Sequence, residues 1–332
     1  MTPITLRADC KVNLSLRITG VLPNGYHTLD SLFLPLPDPH DLLYITPGAT
    51  PGLALTSSEP ALDPRDNTLT RAYKLYAEAN SFSPPLAIRL EKGIPSGAGL
   101  GGGSSDAAVL LRYLNDRAPR ALDAAVLHAV AARVGADVPF FLQDHPCRVR
   151  GIGDVLEPHM LGLAGIRLVL VCPDVRVSTS WAYAAWDALV VPQSAVILRQ
   201  ASFFAPVEYH KSILPSQKTK PSSSDGKLGH YQNCSSRGIT DALQDLTKRG
   251  AEAKEANFRF HCLNDLEEAV FPAYPELARI KRELFRQGAA AAVMSGSGAS
   301  QLGLFRDHHA ASNAVAFFQA QGLRTYCHLL SC

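Results

Sequence analysis

No run in the 332-residue chain approaches the roughly eighteen consecutive apolar residues of a membrane-spanning helix, so no membrane partner is expected. The seven cysteines (10, 147, 172, 234, 262, 327 and 332) are odd in number, scattered and never spaced C-x-x-C. That argues against a disulfide framework or a zinc site and for free thiols in a reducing cytoplasm. Residues 1–7 lack both the apolar core of a secretory signal and the Arg/Ser-rich character of a transit peptide, and a cytoplasmic location is the expectation. Excess charge is missing too: 32 Lys and Arg stand against 30 Asp and Glu, a net +2. A chain-wide basic surface for nucleic acid is therefore not expected. No internal repeat is visible, which removes solenoid architectures. What is present is globular material, 46% apolar and 19% charged, in a chain long enough for two domains.

One stretch stands out: Gly93-Ile94-Pro95-Ser96-Gly97-Ala98-Gly99-Leu100-Gly101-Gly102-Gly103-Ser104-Ser105-Asp106, with six glycines among the eleven residues from Gly93 to Gly103. The segment before it, Pro85 to Leu90, reads as a strand, and the apolar run Ala107 to Leu111 after it opens a helix capped by Ser104 or Ser105. Glycine permits positive φ and removes the Cβ that would hold a ligand away. A glycine loop leading into a helix start collects unpaired N–H groups and the positive end of the helix dipole, which suits a phosphate. The run from Gly97 to Gly102 also spells G-x-G-x-x-G. The loop is too long for the dinucleotide fingerprint, however, and no strand ending in an acid follows about twenty residues on. No lysine follows the glycines, so this is not a G-x-x-x-x-G-K-[ST] loop either.

Along the rest of the chain, Ile4, Leu6, Ala8, Cys10, Val12, Leu14, Leu16 and Ile18 alternate as one face of a strand, with Lys11 and Asn13 on the other. Pro23-Asn24-Gly25 is a hairpin turn carrying Tyr26 and His27 at its exit. Separate strands are expected at 32–36, 41–46 and 53–56, and helices at 67–79 and 122–134, the latter ending at Gly135. Asp137 then sits before the apolar Val138-Pro139-Phe140-Phe141, where a carboxylate must be hydrogen-bonded, paired or functional. The second half offers a strand at 166–171, a helix at 182–189 behind Ser178-Thr179-Ser180-Trp181, and a polar, lysine-bearing insertion at 206–238. Helices at 241–257, 265–271 and 274–286 follow, then a small-residue loop over 289–300 containing Ser295-Gly296-Ser297-Gly298. A strand at 301–305, a helix at 310–321 and a strand at 325–329 close the chain.

Lys11-Val12-Asn13-Leu14, the glycine-serine stretch and Ser295-Gly296-Ser297-Gly298, in that order, resemble the GHMP superfamily of small-molecule kinases. Gly25-Tyr26-His27, Asn67-Thr68-Leu69, the triple glycine, Gly135-Ala136-Asp137-Val138-Pro139 and Asn264-Asp265-Leu266-Glu267 look like the branch that acts on a cytidine diphosphate conjugate of methylerythritol in the non-mevalonate isoprenoid pathway. The likeness spans nearly the whole chain outside about 200–260. It implies an α+β, two-domain fold, with a ribosomal S5 domain 2-like N-terminal domain (1–155) and a ferredoxin-like C-terminal domain (156–332). It also implies ATP as co-substrate with Mg²⁺, and transfer of the γ-phosphoryl to the 2-hydroxyl of the small-molecule substrate. Another small-molecule kinase of the superfamily, or an inactive nucleotide-binding module, are the rival readings.

By the same resemblance, Asp137 is the base that takes the hydroxyl proton and Lys11 the cation beside it. Residue type alone equally supports a buried structural salt bridge. The ATP phosphates would lie on Pro95, Ser96, Gly97, Ala98, Gly99, Leu100, Gly101, Gly102, Gly103, Ser104 and Ser105, with Asn67 and Lys92 along the nucleotide. Read without the family, Asn67 is a helix cap and Lys92 a surface lysine. Asn13 is a substrate contact. Tyr26 and His27 would recognise the cytosine, facing Thr179 and Tyr183 one helical turn apart. Tyr26 and Tyr183 are expected to sandwich the base, with Trp181 a competitor for the second position. Ala98 stands where the family often has another glycine, and no acid identifies itself as a metal ligand.

Overall fold

The computed structural model describes residues 3–190 and 262–331. The expected insertion at 206–238 and helix at 241–257 lie outside these residues. A long hairpin forms first: β1 (Ile4–Val21) turns at Asn24-Gly25, where Gly25 takes φ 84°, and returns as β2 (His27–Pro47). β2 is one continuous strand rather than the separate pieces expected at 32–36 and 41–46. Pro37-Asp38-Pro39, which read as a break, is absorbed as a register shift opposite Asp9 and Cys10. β3 (Leu53–Ser57), β4 (Leu86–Glu91), β5 (Cys147–Gly151) and β6 (Val155–Pro158) complete a sheet in the order β3-β4-β2-β5-β6, with β1 on β2. This sheet runs through β6 to Pro158, past the 155/156 division.

That register shift overturns the single apolar face expected of β1. Leu6 and Ala8 pack into the core formed with α1 (Thr68–Asn80), α2 (Gly102–Arg117) and α3 (Ala124–Val134), whereas Cys10, Val12 and Leu14 join a second core on the other side. The excess is three residues, Pro37 to Pro39 on β2 between the pairs Asp9–His40 and Cys10–Leu36, and an odd excess exchanges the faces beyond it. Lys11, whose Nζ lies 4.6 Å from the centre of the Phe33 ring, therefore points to the helical side.

A second, antiparallel sheet has the order β10-β7-β9-β8, built from β7 (Arg167–Cys172), β8 (Ala291–Met294), β9 (Gln301–Phe305) and β10 (Arg324–Leu329). Strand β8 replaces the first part of the loop expected over 289–300. Its four residues are all buried, so they show no alternation by which a strand could be recognised. One face of this sheet is covered by α6 (Pro275–Arg286) and α7 (His308–Ala320). The other meets β1, β2, Ala98 and Leu100 in the shared core that joins the two sheets. Two further helices, α4 (Thr179–Val190) and α5 (Glu267–Ala273), pack with Leu16 at the far end of the joint. Among the described residues no helix is long and apolar enough to cross a membrane.

Candidate active site

The glycine stretch leaves β4 under the control of a fully buried acid. Asp41 Oδ1 accepts from the backbone N–H groups of Gly93 and Ile94 at 2.7 and 2.8 Å, and its other oxygen holds the Lys92 ammonium. Gly97, Gly99 and Gly101 then take φ of 70°, 75° and 75°, while the intervening Ala98 and Leu100 bury their side chains in the shared core. Left-handed glycines alternate with anchored apolar residues, and their carbonyls are tied back. Those of Gly97, Ala98 and Leu100 accept from the N–H of Val177, Ser300 and Lys11 at 3.3, 3.1 and 3.0 Å, and that of Gly99 from Ser295 Oγ at 3.0 Å. Among the described residues, the N–H groups of 97–101 donate to nothing. Helix α2 follows at once, with Gly101 rather than Ser104 or Ser105 as its N-cap. The glycine's positive φ sets the helix entry, so the serines fall inside the first turn, where neither lines the open cavity of about 210 Å³ above the loop. Residues 95–103 do line it. Free N–H groups, a nest-like alternation and a helix N-terminus are the arrangement that suits an anion.

Asn67 and Lys92 both border the cavity. Asn67 is also a helix cap: its Oδ1 accepts from Thr70 N at 3.0 Å and its Nδ2 donates to the Asp63 carbonyl at 2.7 Å. Lys92 is not the surface residue that its type suggests. It is buried between Asp41 and Asp106, donating to Asp106 Oδ2 at 2.9 Å. Burial lowers its pKa, but the two carboxylates outweigh that and raise it. Asp106 moves to about 7, mainly by burial; the Lys92 charge opposes this and that of Asp41 reinforces it. Its Oδ1 has no hydrogen-bond partner.

Lys11 sits where the cradle meets the acid. Its Nζ donates to Asn13 Oδ1 at 2.6 Å and lies 3.5 Å from Asp137 Oδ2. Asn13 Nδ2 in turn donates to Ser31 Oγ at 2.9 Å, so the amide is held at both ends. Asp137 lies on the turn after α3 and is a third exposed, while its neighbours Val138 and Phe140 are buried. Phe140 packs edge-on to Phe33 at 5.2 Å, and Arg112 of α2 donates to the Phe141 carbonyl at 2.7 Å. Burying Phe140 alone contributes about 1.5–3 kcal/mol to holding this turn. The apolar segment pins the backbone and leaves the carboxylate facing the cleft.

Across the cleft, Thr179, Tyr183, Trp186 and Asp187 follow the i, i+4, i+7, i+8 spacing of a single helix face. Thr179 Oγ1 and Ser297 Oγ share a hydrogen bond of 2.9 Å. Tyr183 faces His27, with ring centres 4.7 Å apart, while Trp181 turns away to an edge contact with Tyr274 at 5.4 Å. His27 is the ring set against Tyr183, while Tyr26, 62% exposed, has no ring partner among the described residues. Burial, then the Asp137 charge, push the Tyr183 hydroxyl up to about 12.

Sequence reasoning missed Asp41, whose role depends on a long-range approach of β2 to the cradle. It also passed over Asp106 and Asp187, although an acid just after Gly-Ser and one a turn beyond a site tyrosine were visible signals. Asn264 is structural: its Nδ2 donates to the carbonyls of Met294 and Gly296 at 2.8 and 2.7 Å, holding the second small-residue loop in shape. Ser295 Oγ bonds both Asn13 N, at 3.1 Å, and the Gly99 carbonyl, joining all three motifs.

The sequence matches the GHMP kinases N terminal domain over residues 67–145 and the GHMP kinases C terminal domain over 240–323. It is 42% identical over 327 residues to the 4-diphosphocytidyl-2-C-methyl-D-erythritol kinase of Nitratidesulfovibrio vulgaris strain Hildenborough, covering 98% of this chain and 99% of that one. Identity to the kinase of the same name from Lawsonia intracellularis is 37%, over 99% and 97% of the two chains. A crystal structure of 4-(cytidine 5'-diphospho)-2C-methyl-D-erythritol kinase superposes with a TM-score of 0.67 at 31% identity, covering 98% of each chain. Homoserine kinase from Cytophaga hutchinsonii shares the fold at 17% identity, with a TM-score of 0.62 over 99% of this chain and 94% of that one.

Proposed function

We propose the following reaction from the premise that this chain belongs to the GHMP kinases and, within them, to the 4-diphosphocytidyl-2-C-methyl-D-erythritol kinases. It transfers the γ-phosphoryl of ATP to the 2-hydroxyl of 4-diphosphocytidyl-2-C-methyl-D-erythritol, giving the 2-phosphate and ADP, a step of the non-mevalonate isoprenoid route. The observation that carries the reading is the cradle with its carbonyls tied back and its N–H groups free, opening beside Lys11 and Asp137. The nucleotide phosphates lie on 95–103, with Asn67 and Lys92 at the border of the same cavity. Phosphoryl transfer asks mainly for positioning and neutralised charge. Asp137 accepts the proton of the attacking hydroxyl. Lys11, held by Asn13, pairs with that carboxylate and faces the charge that develops on transfer. The cytidine end lies at Tyr26, His27, Thr179 and Tyr183. The N-terminal domain then carries the nucleotide and the C-terminal domain the substrate helix.

A Mg²⁺ ion accompanying ATP takes most ligands from phosphate and water and needs only one or two protein carboxylates. The buried, unpartnered Oδ1 of Asp106 fits that demand. When bound, the ion neutralises phosphate charge that Lys92, already shared by two acids, cannot. An Asp106→Asn enzyme is expected to need about tenfold more Mg²⁺ for half-maximal ATP binding, a shift equivalent to about 1.4 kcal/mol. Calorimetric titration of the ion in the presence of a non-hydrolysable ATP analogue reads this. An unchanged titration removes Asp106 from that role.

The reaction is tested by following ADP release with the cytidine conjugate and with homoserine as alternative acceptors; turnover of homoserine alone would reject it. Tyr183→Ala should raise KM for the cytidine conjugate about tenfold to hundredfold, as base stacking on an aromatic ring is worth about 1–3 kcal/mol, and leave KM for ATP unchanged. An unchanged cytidine KM would take Tyr183 out of the site.

A further inference from the structure

His27 does not stand free at the cleft. Its Nε2 lies 2.8 Å from Asp187 Oδ1, its ring rests on Tyr183, and the edge of Trp186 closes on it at 5.9 Å. A carboxylate can only accept, so the proton between them belongs to Nε2. The ring therefore has one nitrogen left for a ligand, Nδ1, and in the neutral imidazole that nitrogen is a bare acceptor. The pair is well sheltered: the His27 side chain is 11% exposed and that of Asp187 30%. Asp187 is placed by the same helix face as Tyr183, one turn further along.

We propose that Asp187 is a positioning residue that fixes the tautomer and orientation of His27, and thereby makes this subsite prefer a 4-amino pyrimidine, cytosine, over a 4-oxo pyrimidine, uracil. This rests on the reading above that His27 and Tyr183 hold the base. Cytosine presents an N–H donor at its exocyclic 4-position, and uracil a carbonyl acceptor there. A bare Nδ1 accepts from the first and meets the second lone pair to lone pair. A site built to bond a donor rejects an analogue lacking it more strongly than an apolar pocket rejects an extra group, because the buried partner is left unpaired. Without the carboxylate, imidazole can move its proton to Nδ1 or rotate, and the preference has no fixed basis.

The experiment titrates full-length protein calorimetrically with cytidine 5'-diphosphate and with uridine 5'-diphosphate, the cradle being saturated with a non-hydrolysable ATP analogue. Asp187→Ala should weaken the cytidine ligand about tenfold, one hydrogen bond, with little effect on the uridine ligand. Asp187→Asn, whose amide oxygen still accepts from Nε2, should keep most of the preference. In turnover, the alanine variant should raise KM for the cytidine conjugate more than it lowers kcat. A cytidine-to-uridine ratio within twofold of wild type in Asp187→Ala overturns the inference if His27→Ala loses the ratio. If His27→Ala keeps it, the cytidine reading itself fails. Equal loss of both ligands with a lower melting temperature would make the pair a latch between β2 and α4 and would equally overturn the proposal.

Discussion

Asp137→Asn should fold, bind both substrates with little change in KM, and transfer phosphate about 10³-fold more slowly, in the middle of the range for loss of a general base. The substitution is close to isosteric, and the turn that bears it is held by Val138, Phe140 and the Arg112 bond to Phe141, none of which it touches. What it removes is a group able to accept a proton 3.5 Å from Lys11. Lys11 keeps its 2.6 Å bond to Asn13, so the ammonium is not left unpaired. A coupled assay for ADP, with ATP and the cytidine conjugate each varied, separates the loss of kcat from any change in binding. A rate within threefold of wild type would mean that the carboxylate is a structural partner of Lys11, the alternative its residue type always allowed.

The second large effect is expected in the backbone. Gly99→Ala asks an L side chain to adopt φ 75° and puts a Cβ 2.0 Å from the Ser295 carbonyl oxygen and 2.9 Å from that of Gly298. The left-handed conformation alone costs about 1–2 kcal/mol. The clash falls on backbone, which cannot swing aside, and the total should exceed the ~4 kcal/mol that marks an exceptional substitution. Gly97→Ala is the matched control. Its φ is 70°, but its Cβ meets Arg176 at 3.3 Å from Cβ and 3.5 Å from Cα, so the conformational penalty is joined by a far smaller steric one. Denaturant melts should rank the midpoints wild type, Gly97→Ala, then Gly99→Ala, with ATP-analogue binding abolished only in the last. Equal midpoints for the two variants would show that the cradle does not press on 295–298 as closely as described.

The cradle was legible because its chemistry is local: strand, glycine run and helix start are consecutive in sequence. The acid drew notice by its apolar neighbours, but the roles expected of it, the lysine and the tyrosines came only through a family pattern, since they depend on contacts across the chain. Residue type did not reveal that β1 serves two cores, because alternation carries no mark of a bulge. Nor could it place Lys92, whose burial depends on Asp41 arriving from β2. Trp181 and Tyr183 looked interchangeable until the helix phase set one toward His27 and the other toward Tyr274. The small residues of β8 hid a strand for the opposite reason, being buried on every side.

The bulge opposite Asp9 and Cys10 acts on β1 as a reading frame acts on a message. Upstream of it, odd positions such as Arg7 and Asp9 look outward; downstream, the odd positions Lys11 and Asn13 look into the cleft. Removing the three excess residues 37–39 of β2 would restore a plain ladder and turn both side chains over, giving the shared core a charge and the cleft an apolar Val12. Insertions in the nearby β1–β2 turn leave that frame untouched. Chain-length variation can therefore accumulate at one end of this hairpin and not at its middle, although neither place holds a reacting atom.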